Sequence, residues 1–172
     1  MSIVAEEQDY AISYSRRIAA PHQKVWEVIS GSGSLATCHP FVQSQTSLDG
    51  HGVGAADAIT YNSGLTLSRK FVQWYEGSGF DLDLIWESGD AAYVSWRVSP
   101  DGEAGTLLTV VFTPPHVRDS MCDEARAFIH GLRLKPMVEL YLTSMLKGIQ
   151  YFLETGEQVH RNQFGSHPWF SP

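Results

Sequence analysis

The sequence predicts an α+β domain: a curved antiparallel sheet of about seven strands wrapped around one long C-terminal helix, with one or two short helices after the first strand. Three observations carry this. From Asp57 to Thr113, segments of period-two alternation follow one another with only short turn signals between them, the pattern of an antiparallel meander. One further strand-like segment, Tyr10–Ile18, precedes them across a short helical stretch. Near the C-terminus lies KPMVELYLTSMLKGIQYFLETG, Lys135–Gly156, a helix of about 20 residues and roughly 30 Å.

In the first strand Tyr10, Ile12, Tyr14 and Ile18 alternate with Ala11, Ser13, Ser15 and Arg17, and Arg16 joins the apolar face near its end, at a rim. Ala19-Ala20-Pro21 opens a short helix whose buried side is Val25, Trp26, Val28 and Ile29, and Gly31 and Gly33 end it. LATCHPFV, Leu35–Val42, has no clean period and reads as a turn of helix or an ordered loop carrying Cys38 and His39. A strand from Val42 to Leu48 leads into Gly50, Gly52 and Gly54. With no helix after them, these glycines suit a tight reversal better than a phosphate cradle.

Asp57–Tyr75 allows a register to be read. With Asn62-Ser63-Gly64 as a three-residue hairpin loop and Gly64 left-handed, Tyr61 faces Leu65, Ile59 faces Leu67 and Asp57 faces Arg69. The two charges then meet on the apolar face, beside Ile59, Leu67 and Phe71. A loop one residue longer or shorter would separate them. On the same parity Tyr61 and Trp74 lie on opposite faces. In the next strand Phe80, Leu82, Leu84 and Trp86 point inward, and Asp81 and Asp83 point outward into solvent. Val94, Trp96 and Val98 share a face of Ala92–Val98, Asp101-Gly102 turns the chain, and Thr106–Thr113 follows with Leu108, Val110 and Phe112.

After Pro114-Pro115, Asp119–Leu132 reads as a helix leading into the long one. There Pro136 takes the first helical position and Gly156 the left-handed stop. Glu139, Thr143, Lys147, Gln150 and Glu154 draw one narrow polar stripe, and apolar residues cover more than half the circumference. A helix of that kind is held in something concave. A sheet of this size twists and curls, and the two faces cannot touch everywhere, so a cavity is expected between them.

At 172 residues the chain suits a single domain, 1–172, with 157–172 as a tail. Twelve basic against nineteen acidic residues give a formal charge of −7 with no Lys/Arg stripe. The phosphate attraction behind nucleic-acid binding is therefore missing, and an anionic membrane surface is disfavoured. Glu6, Glu7 and Asp9 stand where a signal peptide needs a basic start, and no apolar run is long enough to span a bilayer. A cytoplasmic protein without membrane insertion is expected. Cys38 and Cys122 are the two cysteines, expected as free thiols. With no CxxC or HxxxH set, no metal is expected, and no cofactor.

The element order, together with IAAPHQKVWEVIS (Ile18–Ser30), CHPFV (Cys38–Val42) and YLTSMLKGIQYFLETGEQV (Tyr141–Val159), resembles the START and Bet v 1-like (SRPBCC) superfamily. Within it the likeness is to the polyketide cyclase/dehydratase and lipid-transport group. The resemblance covers nearly the whole chain, and its strings are architectural, with no catalytic signature among them. It implies the helix-grip fold and a hydrophobic molecule held between the long helix and the sheet. A minority of the superfamily look like cyclases or aromatases of polyketides.

The residues nominate several candidates. Asp57 and Arg69 could hold a ligand carboxylate or enolate, or simply close one end of the sheet as an ion pair. His39 titrates near neutrality and sits in an irregular loop where the cavity mouth is expected, which suits proton transfer; a local hydrogen-bonding role is the alternative. Catalytic candidates are thus His39, Asp57 and Arg69. Ligand contacts are expected from Tyr61, Arg69, Phe71 and Trp86, and from Trp96, Tyr141 and Met145, each of which could equally be core packing. Phe164, Trp169 and Phe170 in the tail would fold back over the pocket or pack on a second subunit in a homodimer. The expected activity is binding or transport of a lipid-like, polyketide-like or aromatic molecule. A cyclase using the same cavity and a protein-interaction module with a closed cavity are the alternatives.

Overall fold

A computed structural model describes residues 10–115 and 123–172. The acidic N-terminus, Cys122 and the predicted helix start at Asp119 lie outside the described residues. The elements are β1 (Ile12–Ile18), α1 (His22–Ser30), α2 (Leu35–Cys38), β2 (Val42–Asp49), β3 (Ala56–Tyr61), β4 (Thr66–Tyr75), β5 (Gly79–Ile85), β6 (Ala91–Asp101), β7 (Gly105–Thr113), α3 (Asp123–Ile129) and α4 (Lys135–Thr155). All seven strands form one antiparallel sheet in the order β1-β7-β6-β5-β4-β3-β2, and α4 lies across its concave face in a helix grip. The chain leaves β1 through two helices, so no hairpin can join it to β2. It pairs instead with β7, from Ile12 opposite Phe112 to Ile18 opposite Thr106. Among the described residues no helix is long and apolar enough to cross a membrane.

The β3–β4 hairpin has the predicted register: Gly64 has φ +89°, and Asp57 pairs with Arg69. Further along β4 the parity reading fails. A bulge between Phe71 and Gln73 inserts a residue, which returns Trp74 to the concave side. Trp74 pairs there with Phe80, their rings stacked with centres 5.6 Å apart, and α1 covers both by placing Trp26 5.4 Å from Trp74. Asp81 also departs from expectation. It is buried, bonded at 2.6 Å to Arg97 from the neighbouring β6. Burial would raise its pKa, but hydrogen bonds from Arg97, Tyr93 and Ser95 hold it below the usual carboxylate range.

Helix α4 has the predicted bounds and a different entrance. The chain reaches it already helical, through α3 and a π-helical turn, His130–Leu134, in which Lys135 N–H bonds the His130 carbonyl five residues back. Pro136 has no N–H to give the preceding turn and its ring crowds the carbonyl four residues back; a locally wider helix meets both constraints. At the other end Gly156 is left-handed, φ +76°, and its N–H closes on the Phe152 carbonyl at 2.8 Å. Midway along, Gly148 lets α4 press onto the loop after α2. A Cβ there would come within 2.3 Å of the Cys38 carbonyl oxygen.

Candidate functional site

Between α4 and the concave face lies a cavity of about 390 Å³, within the roughly 300–1,000 Å³ of sites for drug-sized molecules. Strand parity makes its floor: Ile59 and Tyr61, Leu82 and Leu84, Val94 and Trp96, Val110 and Phe112 each stand two apart and share a face. The facing wall is one side of α4, where Val138, Tyr141, Leu142 and Met145 follow helical spacing. Trp169 and Phe170 contribute from the tail. After α4 the chain turns back, held by Val159 N–H to the Thr37 carbonyl (3.0 Å) and Ser63 N–H to the Phe170 carbonyl (2.9 Å). Buried His167 donates through Nε2 to the Met137 carbonyl at 2.9 Å and accepts the Trp169 N–H at Nδ1, which ties the tail to α4.

Two polar groups interrupt this apolar wall. In the first, the hydroxyls of Tyr61 and Tyr141 are 2.9 Å apart, and Tyr141 Oη is 3.0 Å from His39 Nε2. His39 Nδ1 accepts the Phe41 N–H at 3.1 Å. In the second, Arg69 donates to Asp57 through Nε (2.7 Å) and Nη2 (2.5 Å), and Gln45 donates to the same carboxylate at 2.9 Å. The pair is buried, and such a two-point contact satisfies both charges without solvent.

Burial sets the proton affinities. His39 is pushed down to about 3, first by desolvation and then by the charges of Arg69 and His167, so its ring is neutral. Tyr61 is pushed up to about 12 by desolvation, against the opposing pull of its bond to Tyr141 and of Arg69. Tyr141 rises well above the ordinary phenol value, by desolvation and then by Tyr61. Both phenols stay protonated and can only donate or share a proton. Cys38 is fully buried with its thiol pushed up to about 12 by desolvation, which leaves no thiolate for nucleophilic chemistry.

Of the residues expected to touch a ligand, Tyr61, Arg69, Trp86, Trp96, Tyr141 and Met145 line the cavity. Phe71 does not. It lies under the Arg69 guanidinium, 5.2 Å from ring centre to Cζ, and packs on Trp74 and Phe80. Asp57 stands behind Arg69, facing a second, small pocket of about 50 Å³ shared with Gln45 and Ser47. His39 is not at the mouth as expected. The close approach permitted by Gly148 draws its loop inward, so it is 2% exposed and stands one hydrogen bond behind Tyr141. Val138 and Leu142 were not among the residues expected at the ligand, although Val138 stands three before Tyr141 and Leu142 three before Met145, which puts them on one side of α4. For Leu35 no local signal exists, since only the tertiary arrangement brings it to the wall.

Residues 10–146 match the family model described as polyketide cyclase / dehydrase and lipid transport. No curated protein sequence matches the chain. Among solved structures, DynU16, a protein of the dynemicin biosynthetic locus, superposes with a TM-score of 0.68 at 15% identity over 90% of this chain, which spans only 52% of DynU16. CalU16 of Micromonospora echinospora gives 0.61 at 17% identity, covering 86% of this chain and 75% of its own. A point mutant of norcoclaurine synthase from Thalictrum flavum, bound to a transition-state analogue, gives 0.61 at 16% identity, covering 85% and 94%. At these identities the likeness is one of fold.

Proposed function

The chain belongs to the polyketide cyclase / dehydrase and lipid transport family, and from that premise we propose that it binds a small hydrophobic molecule, lipid-like, polyketide-like or aromatic, in the cavity between α4 and the sheet. The observation that carries this reading is the cavity itself: about 390 Å³ bounded almost wholly by apolar side chains and crossed by a single pair of hydroxyls. Burying 250 Å² of apolar ligand surface would contribute about 6 kcal/mol before the costs of association. A hydrogen bond to the Tyr61–Tyr141 pair adds about 1 kcal/mol. Burial therefore sets affinity, and the hydroxyls set orientation.

Proton abstraction inside the cavity has little support. His39 has Nδ1 occupied by Phe41 N–H and Nε2 against Tyr141, and both phenols are held protonated. A cyclase reading draws instead on the family and on a hydroxyl pair able to polarise a carbonyl. The test is titration of N-phenyl-1-naphthylamine, an uncharged fluorophore, into the protein. Saturable binding that Val138→Trp abolishes at unchanged thermal stability is expected, because that side chain faces the cavity from α4. No binding by the wild type, or equal binding by Val138→Trp, would contradict the reading.

A further inference from the structure

The hydrogen-bond chain His39–Tyr141–Tyr61 has a direction that follows from counting protons. A backbone N–H can only donate, so the Phe41 N–H at 3.1 Å obliges His39 Nδ1 to be the acceptor. The ring is neutral, which places its one proton on Nε2, and Nε2–H donates to Tyr141 Oη at 3.0 Å. Three donors, Nε2–H and the two phenol O–H groups, thus serve the two links of the chain. One O–H is left over. Neither hydroxyl makes another hydrogen bond among the described residues, and both tyrosines line the cavity, so the spare donor belongs to the cavity wall.

The remaining polar groups on the wall point to the same chemistry. The indole N–H groups of Trp86 and Trp96 and Nη1 of Arg69 are donors, and none makes a hydrogen bond among the described residues. Side-chain acceptors are limited to the two phenol oxygens, which already serve the chain. Arg69 is neutralised by Asp57 at two points, so an anionic ligand would find no free counter-charge.

We infer that the molecule taken up is an uncharged, rigid apolar frame bearing an accepting oxygen, a ketone or quinone carbonyl, which docks on the Tyr61–Tyr141 hydroxyl pair. His39 is the positioning residue: its Nε2–H holds Tyr141 Oη as an acceptor and so keeps the hydroxyl protons turned away from the ring. This deepens the binding reading above and rests on it.

Fluorene and 9-fluorenone make a matched pair of probes that differ in one carbonyl. The wild type is expected to prefer fluorenone, and the preference should fall about tenfold in the Y61F/Y141F double variant. Tyr61→Phe alone keeps one unpaired O–H, on Tyr141, and so keeps most of the preference. The carbonyl stretch of bound fluorenone should lie at lower wavenumber in the wild type than in the double variant. His39→Leu leaves the spare O–H in place but removes the donor that polarises Tyr141 Oη, so it should raise that band by part of the double variant's shift, and His39→Gln, which retains an N–H donor, should restore it. Fluorene-9-carboxylate should bind more weakly than fluorenone.

Equal preference in wild type and double variant, an unshifted carbonyl band, or tight binding of the carboxylate would overturn this inference while leaving the cavity reading in place. Binding of neither fluorene nor fluorenone by the wild type would overturn both. Should the double variant fail to fold, the band in the wild-type complex, read against fluorenone in hexane, decides the matter.

Discussion

The concave face of the sheet is built differently at its two ends. Under α1, Trp26, Phe71, Trp74, Phe80 and Trp96 fill the space with rings, Phe80 lying nearly parallel to both Trp74 and Trp96 with centres 5.6 Å away. Toward the tail the same face carries Tyr61, Leu84, Trp86 and Phe112, and the cavity lies above them. Aromatic content is high at both ends. What separates them is the cover: α1 lays an indole directly on the sheet, whereas at the other end α4 and the tail stand off it and meet around an unfilled interior. An aromatic-rich sheet is therefore solid or hollow according to the element that closes it.

The contrast predicts unequal costs of truncation. Phe80→Ala should lose about 3–5 kcal/mol in denaturant unfolding, since every face of that ring is packed. Leu84→Ala at the hollow end should lose only about 1–2 kcal/mol, because its side chain borders empty space and forfeits fewer contacts. Equal losses would mean that the two ends are packed alike.

Acid should act through the histidines around the hollow end. His39 and His167 are both held below the ordinary imidazole value by burial, His39 at about 3. Because the folded value lies below the unfolded one of about 6.5, the unfolded chain binds more protons as pH falls. The stabilisation is complete above about 6.5 and declines below it, by up to about 1.4 kcal/mol per pH unit for each histidine. Urea midpoints between pH 7 and pH 5 should fall in the wild type and fall less steeply in His39→Leu. Parallel slopes in the two proteins would remove His39 from the account.

A chain ending at Val159 sharpens the comparison from the side of the cover. It lacks Trp169 and Phe170, so its affinity for N-phenyl-1-naphthylamine should drop about tenfold, while Phe80→Ala in the full chain should leave that affinity nearly intact. Undiminished binding by the shortened chain would show that the tail is no wall of the site.

Much of this was legible in the residues because local chemistry decided it. Gly64 fixed the hairpin loop, the loop fixed the register, and the register placed Asp57 opposite Arg69. Gly156 fixed the end of α4. The features that escaped depend on distant partners. No Gly or Pro marks the bulge at Phe71/Gln73, so nothing local warned that Trp74 would rejoin the inner face. The solvated reading of Asp81 failed because Arg97 belongs to another strand. The loop of His39 reads as the cavity mouth, and only the contact allowed by Gly148, more than a hundred residues later, shows why it is buried.

The central claim is that the space between α4 and the sheet is a ligand site, and a crystal structure of the protein with N-phenyl-1-naphthylamine tests it most directly. The account predicts density for the probe between Tyr61, Trp96 and Tyr141, with the rings around Phe80 undisturbed. Density confined to the outer surface, or an interior filled by protein side chains in its place, would contradict it.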